Sequence, residues 1–153
     1  MANLSNLLDH VRILDPLIAD NRQKVLKALS QALADATGLD SQDIFEAIME
    51  RERLGPTGVG DGVAIPHTRL AGIERPIGAF ARVSDGCDFE AIDDRPCDLV
   101  FMLLAPQTEG GDHLRALAQV ARTFRDPALR AALRNGDKSA HALLIGEEQG
   151  AAA

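Results

Sequence analysis

Residues 55–69, GPTGVGDGVAIPHTR, gather the residue types best suited to chemistry in this sequence. Four glycines fall within eight residues, and a short apolar run, a proline and His67 follow. Near pH 7 a histidine is mostly neutral and keeps a lone pair on one ring nitrogen. That nitrogen can attack phosphorus without a separate base, so His67 is a candidate covalent nucleophile. An incoming phosphoryl group brings negative charge that needs donors and cations around it. Arg69 stands two residues further on, and Arg51 and Arg53 end the preceding helical stretch. Gly110 and Gly111 mark another helix start, where backbone N–H groups and a positive dipole end suit an anion. His113, in its first turn, can donate to a phosphate oxygen if that helix start faces His67.

Plainer readings compete for each residue. On spacing alone, a histidine after a proline is more often structural or solvated than functional. Arginines usually sit in solvent, and a glycine cluster can be no more than a tight connection. His10 and His141 have no supporting neighbours and are assigned to surface or packing. A metal bound by His67 and His113 would need further ligands at a spacing such as H-E-x-x-H or paired CxxC, and the sequence offers none. Neither GxGxxG after a strand nor GxxxxGK[ST] is present. From the residues alone, the chain is a domain with a possible anion-handling histidine.

The elements that must position His67 can be read from periodicity. Asp20 to Thr37 reads as a helix, with Asp20 as cap, Gln23 completing a capping box, and Val25, Leu26, Leu29 and Leu33 on one face. Gly38 stops it. A second helix follows Asp40 or Ser41 and runs to about Arg53. LGPTGVGDG then breaks regular structure. Val63 to Ile65 is a short strand ended by Pro66, which places His67 just beyond a strand end. Ile77 to Val83 is a strand, and the apolar run Leu99 to Leu104 suits a central strand buried on both faces. The helix after Gly110-Gly111 has Leu114, Leu117, Ala118, Ala121 and Phe124 on one face. Asp126-Pro127 starts another helix, ending near Gly136. A short last helix spans Lys138 to Leu144. The order helix, helix, strands, helix, helix predicts an α/β single-domain sandwich, a mixed β-sheet flanked by helices. Residues 1–146 form the domain, and 147–153 are expected to be a disordered tail.

Composition narrows the function classes. A chain of 153 residues can bury a core without staples. With five Phe and no Trp or Tyr, base stacking on aromatic platforms is not expected, and neither is nucleic-acid binding. The net charge of −7 favours a basic or neutral partner. Cys87 and Cys97 fit reduced thiols. No signal peptide is visible, and no stretch approaches the ~20 apolar residues of a membrane span. A cytoplasmic protein without membrane insertion is expected.

At GVGDGVAIPHTRL the sequence resembles the IIA domains of the bacterial phosphotransferase system, fructose–mannitol type, and within them the nitrogen-related branch. The resemblance extends through MERERLGPTGVGDG, FEAIDDRPCDLVFMLLAP and HLRALAQVARTFRDPALRAALRN, over about residues 40 to 136. It implies that His67, in the IPH motif, accepts phosphate from the phosphohistidine of an HPr-like phosphocarrier. It also implies that His113 lies beside it as phosphate stabiliser and that Arg51 stabilises the phosphate or the partner. The implied fold is again an α/β sandwich with a mixed sheet. No metal, nucleotide or other cofactor is demanded by such a transfer. Val59, Val63 and Leu70 are candidates for apolar contact beside His67. Thr68 departs from the small residue common after the family histidine, which narrows access and adds a donor. The resemblance leaves three readings: a regulatory phosphoacceptor acting on target proteins, a stand-alone sugar-transport IIA subunit passing phosphate to a IIB domain, and a binding module that is not phosphorylated.

Overall fold

The computed structural model describes residues 4, 11–107, 112–136 and 138–145, except the side chains of Asp112 and His113. The first element among the described residues is a strand, β1 (Val11–Leu17), not the helix that periodicity put first. β1 carries the mixed burial of an edge strand, and its short apolar periodicity is broken by Asp15-Pro16. Helices α1 (Arg22–Thr37) and α2 (Ser41–Leu54) follow. Asn21, not Asp20, caps α1: its side chain accepts from Lys24 N at 2.9 Å, while Asp20 pairs with the Lys24 ammonium at 2.9 Å. The helix therefore starts one residue later than the capping box suggested. Gly38 ends it in the left-handed conformation, at φ 79°, as a glycine C-cap does. Asp40 caps α2 by accepting from Gln42 N and Asp43 N.

Four strands come next: β2 (Gly58–Gly60), β3 (Val63–Ala64), β4 (His67–Leu70) and β5 (Ile77–Cys87). β2 lies inside the glycine-rich stretch expected to be irregular. β5 outlasts its expected end at Val83. β6 (Cys97–Pro106) is longer than its apolar run. Helices α3 (Asp112–Arg125), α4 (Pro127–Asn135) and α5 (Ala140–Ile145) complete the described chain. Asp126 caps α4 with Pro127 at its first position, and Gly136 closes it at φ 81°.

The strands form one mixed sheet in the order β1-β5-β6-β3-β2, with β4 pairing β6 beyond β3. β5 and β6 are antiparallel, whereas β3 and β4 both run parallel to β6. β6 is the two-sided central strand that its apolar run implies. Val100, Met102 and Leu104 join the core under α1 and α2. Leu99, Phe101 and Leu103 join the core under α3, α4 and α5. This alternation is the period of two of an extended chain, spent here on two apolar layers. In the second layer the Phe124 ring lies 5.9 Å from Phe80 and 5.8 Å from Phe101. α3 buries Ala116, Val120 and Phe124, so its inward face is rotated from the expected one, and Leu114 is 60% exposed. Among the described residues no helix is long and apolar enough to cross a membrane.

Candidate active site

His67 lies just beyond the end of β3, as expected, but it also begins a strand of its own, β4. Val63 pairs with Leu99 and Ala64 with Val100, and His67 pairs with Leu103 and Thr68 with Leu104. The offset to β6 is the same in both strands, so β3 and β4 are one strand interrupted at Ile65-Pro66. Pro66 causes the interruption because it has no N–H to donate. Its carbonyl still accepts from Leu103 N at 2.9 Å, so the chain stays against the sheet.

The interruption leaves polar groups to be satisfied. Ile65 N donates to the carbonyl of Thr57 at 3.0 Å, just before β2 begins. The Ile65 carbonyl pairs with the ring of His67, 2.7 Å from Nδ1. A carbonyl can only accept, so Nδ1 carries the proton and the in-plane lone pair belongs to Nε2. The backbone thus selects the tautomer of a half-buried histidine.

His67 lines a pocket of about 390 Å³ together with Arg51, Thr68, Arg69, Leu103, Ala105, Leu114 and Leu117. Residues from α2, β4, β6 and α3 meet there, although they are distant in sequence. The Arg51 guanidinium donates to the Gly55 carbonyl at 3.1 Å, which ties it to the C-terminal end of α2. Among the described residues, the charged ones lining the pocket are Arg51 and Arg69, and no described carboxylate lines it. In a protein of net charge −7, the described lining of this pocket is cationic, so net charge alone does not describe it.

Arg53 is not part of this group; it is exposed and pairs with Glu50 at 2.6 Å. His113 is the second residue of α3, and its side chain lies outside the described residues. Gly110 and Gly111 lie outside them too. The apolar contacts expected from Val59, Val63 and Leu70 are made by others. Val59 lines a separate cavity with Phe124, Val63 is buried, and Leu70 packs against the α1–α2 core. Leu114 and Leu117 supply the apolar wall instead. The sequence signal for them existed, since Leu114 opens the helical apolar pattern, but periodicity alone put it on the buried face. Among the described residues no three His, Cys, Asp or Glu gather where they could hold a metal ion.

Comparison with known proteins gives this arrangement a family. The family description "Phosphoenolpyruvate-dependent sugar phosphotransferase system, EIIA 2" matches residues 6–147. A nitrogen regulatory protein of Bradyrhizobium diazoefficiens is 43% identical over 131 residues, covering 86% of both chains. A fructose-specific EIIA component of Haloferax volcanii is 37% identical over 110 residues, covering 71% of each. The crystal structure of nitrogen regulatory protein IIA-Ntr from Neisseria meningitidis superposes with a TM-score of 0.76 at 34% identity, covering 85% of this chain and 89% of that one. The chain belongs to the EIIA type 2 family of the phosphoenolpyruvate-dependent sugar phosphotransferase system, with nitrogen regulatory proteins among its relatives.

Proposed function

We propose that the protein is a cytoplasmic phosphocarrier that accepts a phosphoryl group on Nε2 of His67 from an HPr-like carrier of the nitrogen branch. Its phosphorylation state then regulates target proteins. The observation that carries this reading is the 2.7 Å contact between Nδ1 and the Ile65 carbonyl, which leaves the lone pair on Nε2 in an arginine-lined pocket. Nitrogen regulatory relatives at 37–43% identity support the regulatory role.

The reaction exchanges one phosphorus–nitrogen bond for another, so positioning and electrostatics are the protein's main contribution. The Nε2–P bond forms as the P–N bond to the carrier's imidazole breaks. The leaving imidazole takes up a proton from water. The ring of His67 gains positive charge, which the Nδ1–H bond to Ile65 stabilises until that proton passes to solvent. Arg51 and Arg69 offset the charge on the phosphoryl oxygens. The Arg51 fork is held by Gly55, so little reorganisation is needed when the phosphoryl group arrives. The family resemblance assigns His113, the second residue of α3, the part of a further donor to those oxygens. Thr68 lines the same pocket, and its hydroxyl donates to the Arg69 carbonyl at 3.4 Å. Leu114 and Leu117 are the contact area for the carrier.

A second reading has the similarity to a fructose-specific EIIA component in its favour. On that reading His67 passes its phosphoryl group to a sugar-transport IIB domain. The test uses phosphoenolpyruvate, the first phosphotransfer enzyme and the carrier, with intact mass as readout. Wild type is expected to gain one acid-labile phosphoryl group and His67→Ala none. No gain by wild type refutes the phosphocarrier reading, and a gain by His67→Ala refutes the site. Rapid discharge to a fructose-type IIB domain would favour the transport role over the regulatory one.

A further inference from the structure

Glu52 is the residue after Arg51, but it points the other way. Its side chain is 1% exposed. A carboxylate this deep is costly unless charge and hydrogen bonds compensate it. Oε2 accepts from the Thr57 hydroxyl at 2.5 Å, a short charge-assisted bond. Oε1 has no hydrogen bond among the described residues and faces the Arg22 guanidinium at 3.6 Å. Arg22 in turn lies 3.6 Å from Glu90. Stability alone does not call for this arrangement, because apolar residues commonly replace a buried ion pair without loss. A carboxylate can do one thing an apolar side chain cannot, which is to pin the Thr57 hydroxyl.

We propose that Glu52 is a positioning residue for the reaction of His67, acting through Thr57 and Ile65; this rests on the reading of His67 as phosphoacceptor. The connection is continuous. Glu52 holds Thr57, the Thr57 carbonyl holds Ile65 N at 3.0 Å, and the Ile65 carbonyl holds Nδ1 of His67 at 2.7 Å. The same helix end also sets Arg51. Gly55 N donates to the Glu52 carbonyl at 3.2 Å, and the Gly55 carbonyl accepts from Arg51 at 3.1 Å. Residues 51–57 therefore fix both the tautomer of the nucleophile and the cation that faces it. If Thr57 is released, Ile65 shifts, the bond to Nδ1 weakens, and the ring populates the tautomer whose Nε2 carries a proton and cannot attack.

The test compares Glu52→Gln, Thr57→Val and Thr57→Ser with Ile48→Val, a variant buried in the same helix that touches none of these bonds. Two quantities are measured: the rate of phosphoryl gain from the phosphorylated carrier, and the protonation of the His67 ring nitrogens by nitrogen-15 NMR without any carrier. Thr57→Val is expected to lower the maximal rate about 10-fold with KM little changed, part of the ~100-fold that a 1 Å misplacement costs. It is also expected to raise the Nε2-protonated tautomer. Thr57→Ser should restore both to within about 2-fold. Glu52→Gln, which keeps an acceptor oxygen, should fall between. If Glu52→Gln does not fold, Thr57→Val still breaks the same bond from its other end. The proposal is overturned if the Thr57 variants and Ile48→Val slow transfer in proportion to lost stability with the tautomer unchanged. If wild type takes no phosphate, the phosphocarrier reading fails, and the NMR arm still decides whether Glu52 and Thr57 set the ring.

Discussion

Replacing Gly58 by alanine puts a methyl group where the chain has no room. An ideal Cβ on Gly58 lies 2.8 Å from both Cα and Cβ of Ala91, and 3.3 Å from its backbone nitrogen. Carbon atoms pack best at about 3.5–4.0 Å, so one backbone must retreat by roughly 0.7 Å or more. Ala91 is poorly placed to retreat. It is buried, its carbonyl accepts from Asp94 N at 3.0 Å, and the next turn is held by Asp93 accepting from Asp61 N at 2.9 Å. Overpacking of this kind costs about 1–3 kcal/mol. At about 2–4 °C per kcal/mol for a domain this size, Gly58→Ala should melt about 2–12 °C below wild type. Gly55→Ala is the control, three residues away. Its Cβ would meet no heavy atom within 4 Å, and its φ of 165° is ordinary extended backbone. Loss of unfolded-state freedom should stabilise it by about 0.4–1 kcal/mol. Thermal melts of the three proteins followed by circular dichroism decide the matter. If Gly58→Ala melts at or above wild type, or if both variants shift alike, the packing argument is wrong.

Arg51→Ala should slow phosphoryl gain by about 10–100-fold, and Arg51→Lys should recover only part, because an ammonium cannot reproduce the planar fork held by Gly55. Stopped-flow transfer from the phosphorylated carrier measures this, and an unchanged rate removes Arg51 from the site. Leu114→Ala should raise KM for the carrier about 5-fold while leaving stability within about 0.5 kcal/mol, since Leu114 is 60% exposed on the pocket wall. A large loss of stability instead would return Leu114 to the core. Burial first, then Asp88, pushes the Cys87 thiol from 9.0 up to about 11, against the Arg22 charge. Burial first, then Cys87 and nearby carboxylates, pushes Cys97 up to about 12. Both stay protonated in the native state while the unfolded thiols ionise, so the native state binds more protons above about pH 9. Their contribution to stability is present below that pH and falls as pH rises through about 11 to 12. Denaturant midpoints at pH 8 and 10 should therefore drop more in wild type than in Cys87→Ala/Cys97→Ala, and equal drops would refute the assignment.

Much of the scaffold could be read along the chain because its signals are local. The Asp40 and Asp126 caps, Pro127, and the stops at Gly38 and Gly136 act within a turn of where they stand. The run Leu99–Leu104 named its own two-sided burial. The strands that periodicity missed are the ones whose pairing partners are remote. β2 is rich in glycine and carries almost no strand propensity; Gly58 pairs there because Ala64 lies opposite it. β1 is bounded by nothing local and is held by β5, more than sixty residues later. β4 went unread because Pro66 announces an end, whereas β6 carries the same register across it.

The site divides along the same line. The sequence by itself determined the family, through extended motifs, and the candidate nucleophile and cation: an imidazole after a proline and an arginine at a helix end. These are properties of residue type and short spacing, which the chain carries before it folds. Only the tertiary structure decided which nitrogen of His67 keeps its lone pair, because the Ile65 carbonyl that makes the choice is freed by a break in a ladder with β6. Only the fold turned Leu114 outward onto the pocket, left Arg53 outside it, and drew a buried Glu52 into line with the ring through Thr57. Such assignments depend on backbone groups brought together from distant segments, and a one-dimensional pattern of residue types does not encode which of those groups remains unpaired.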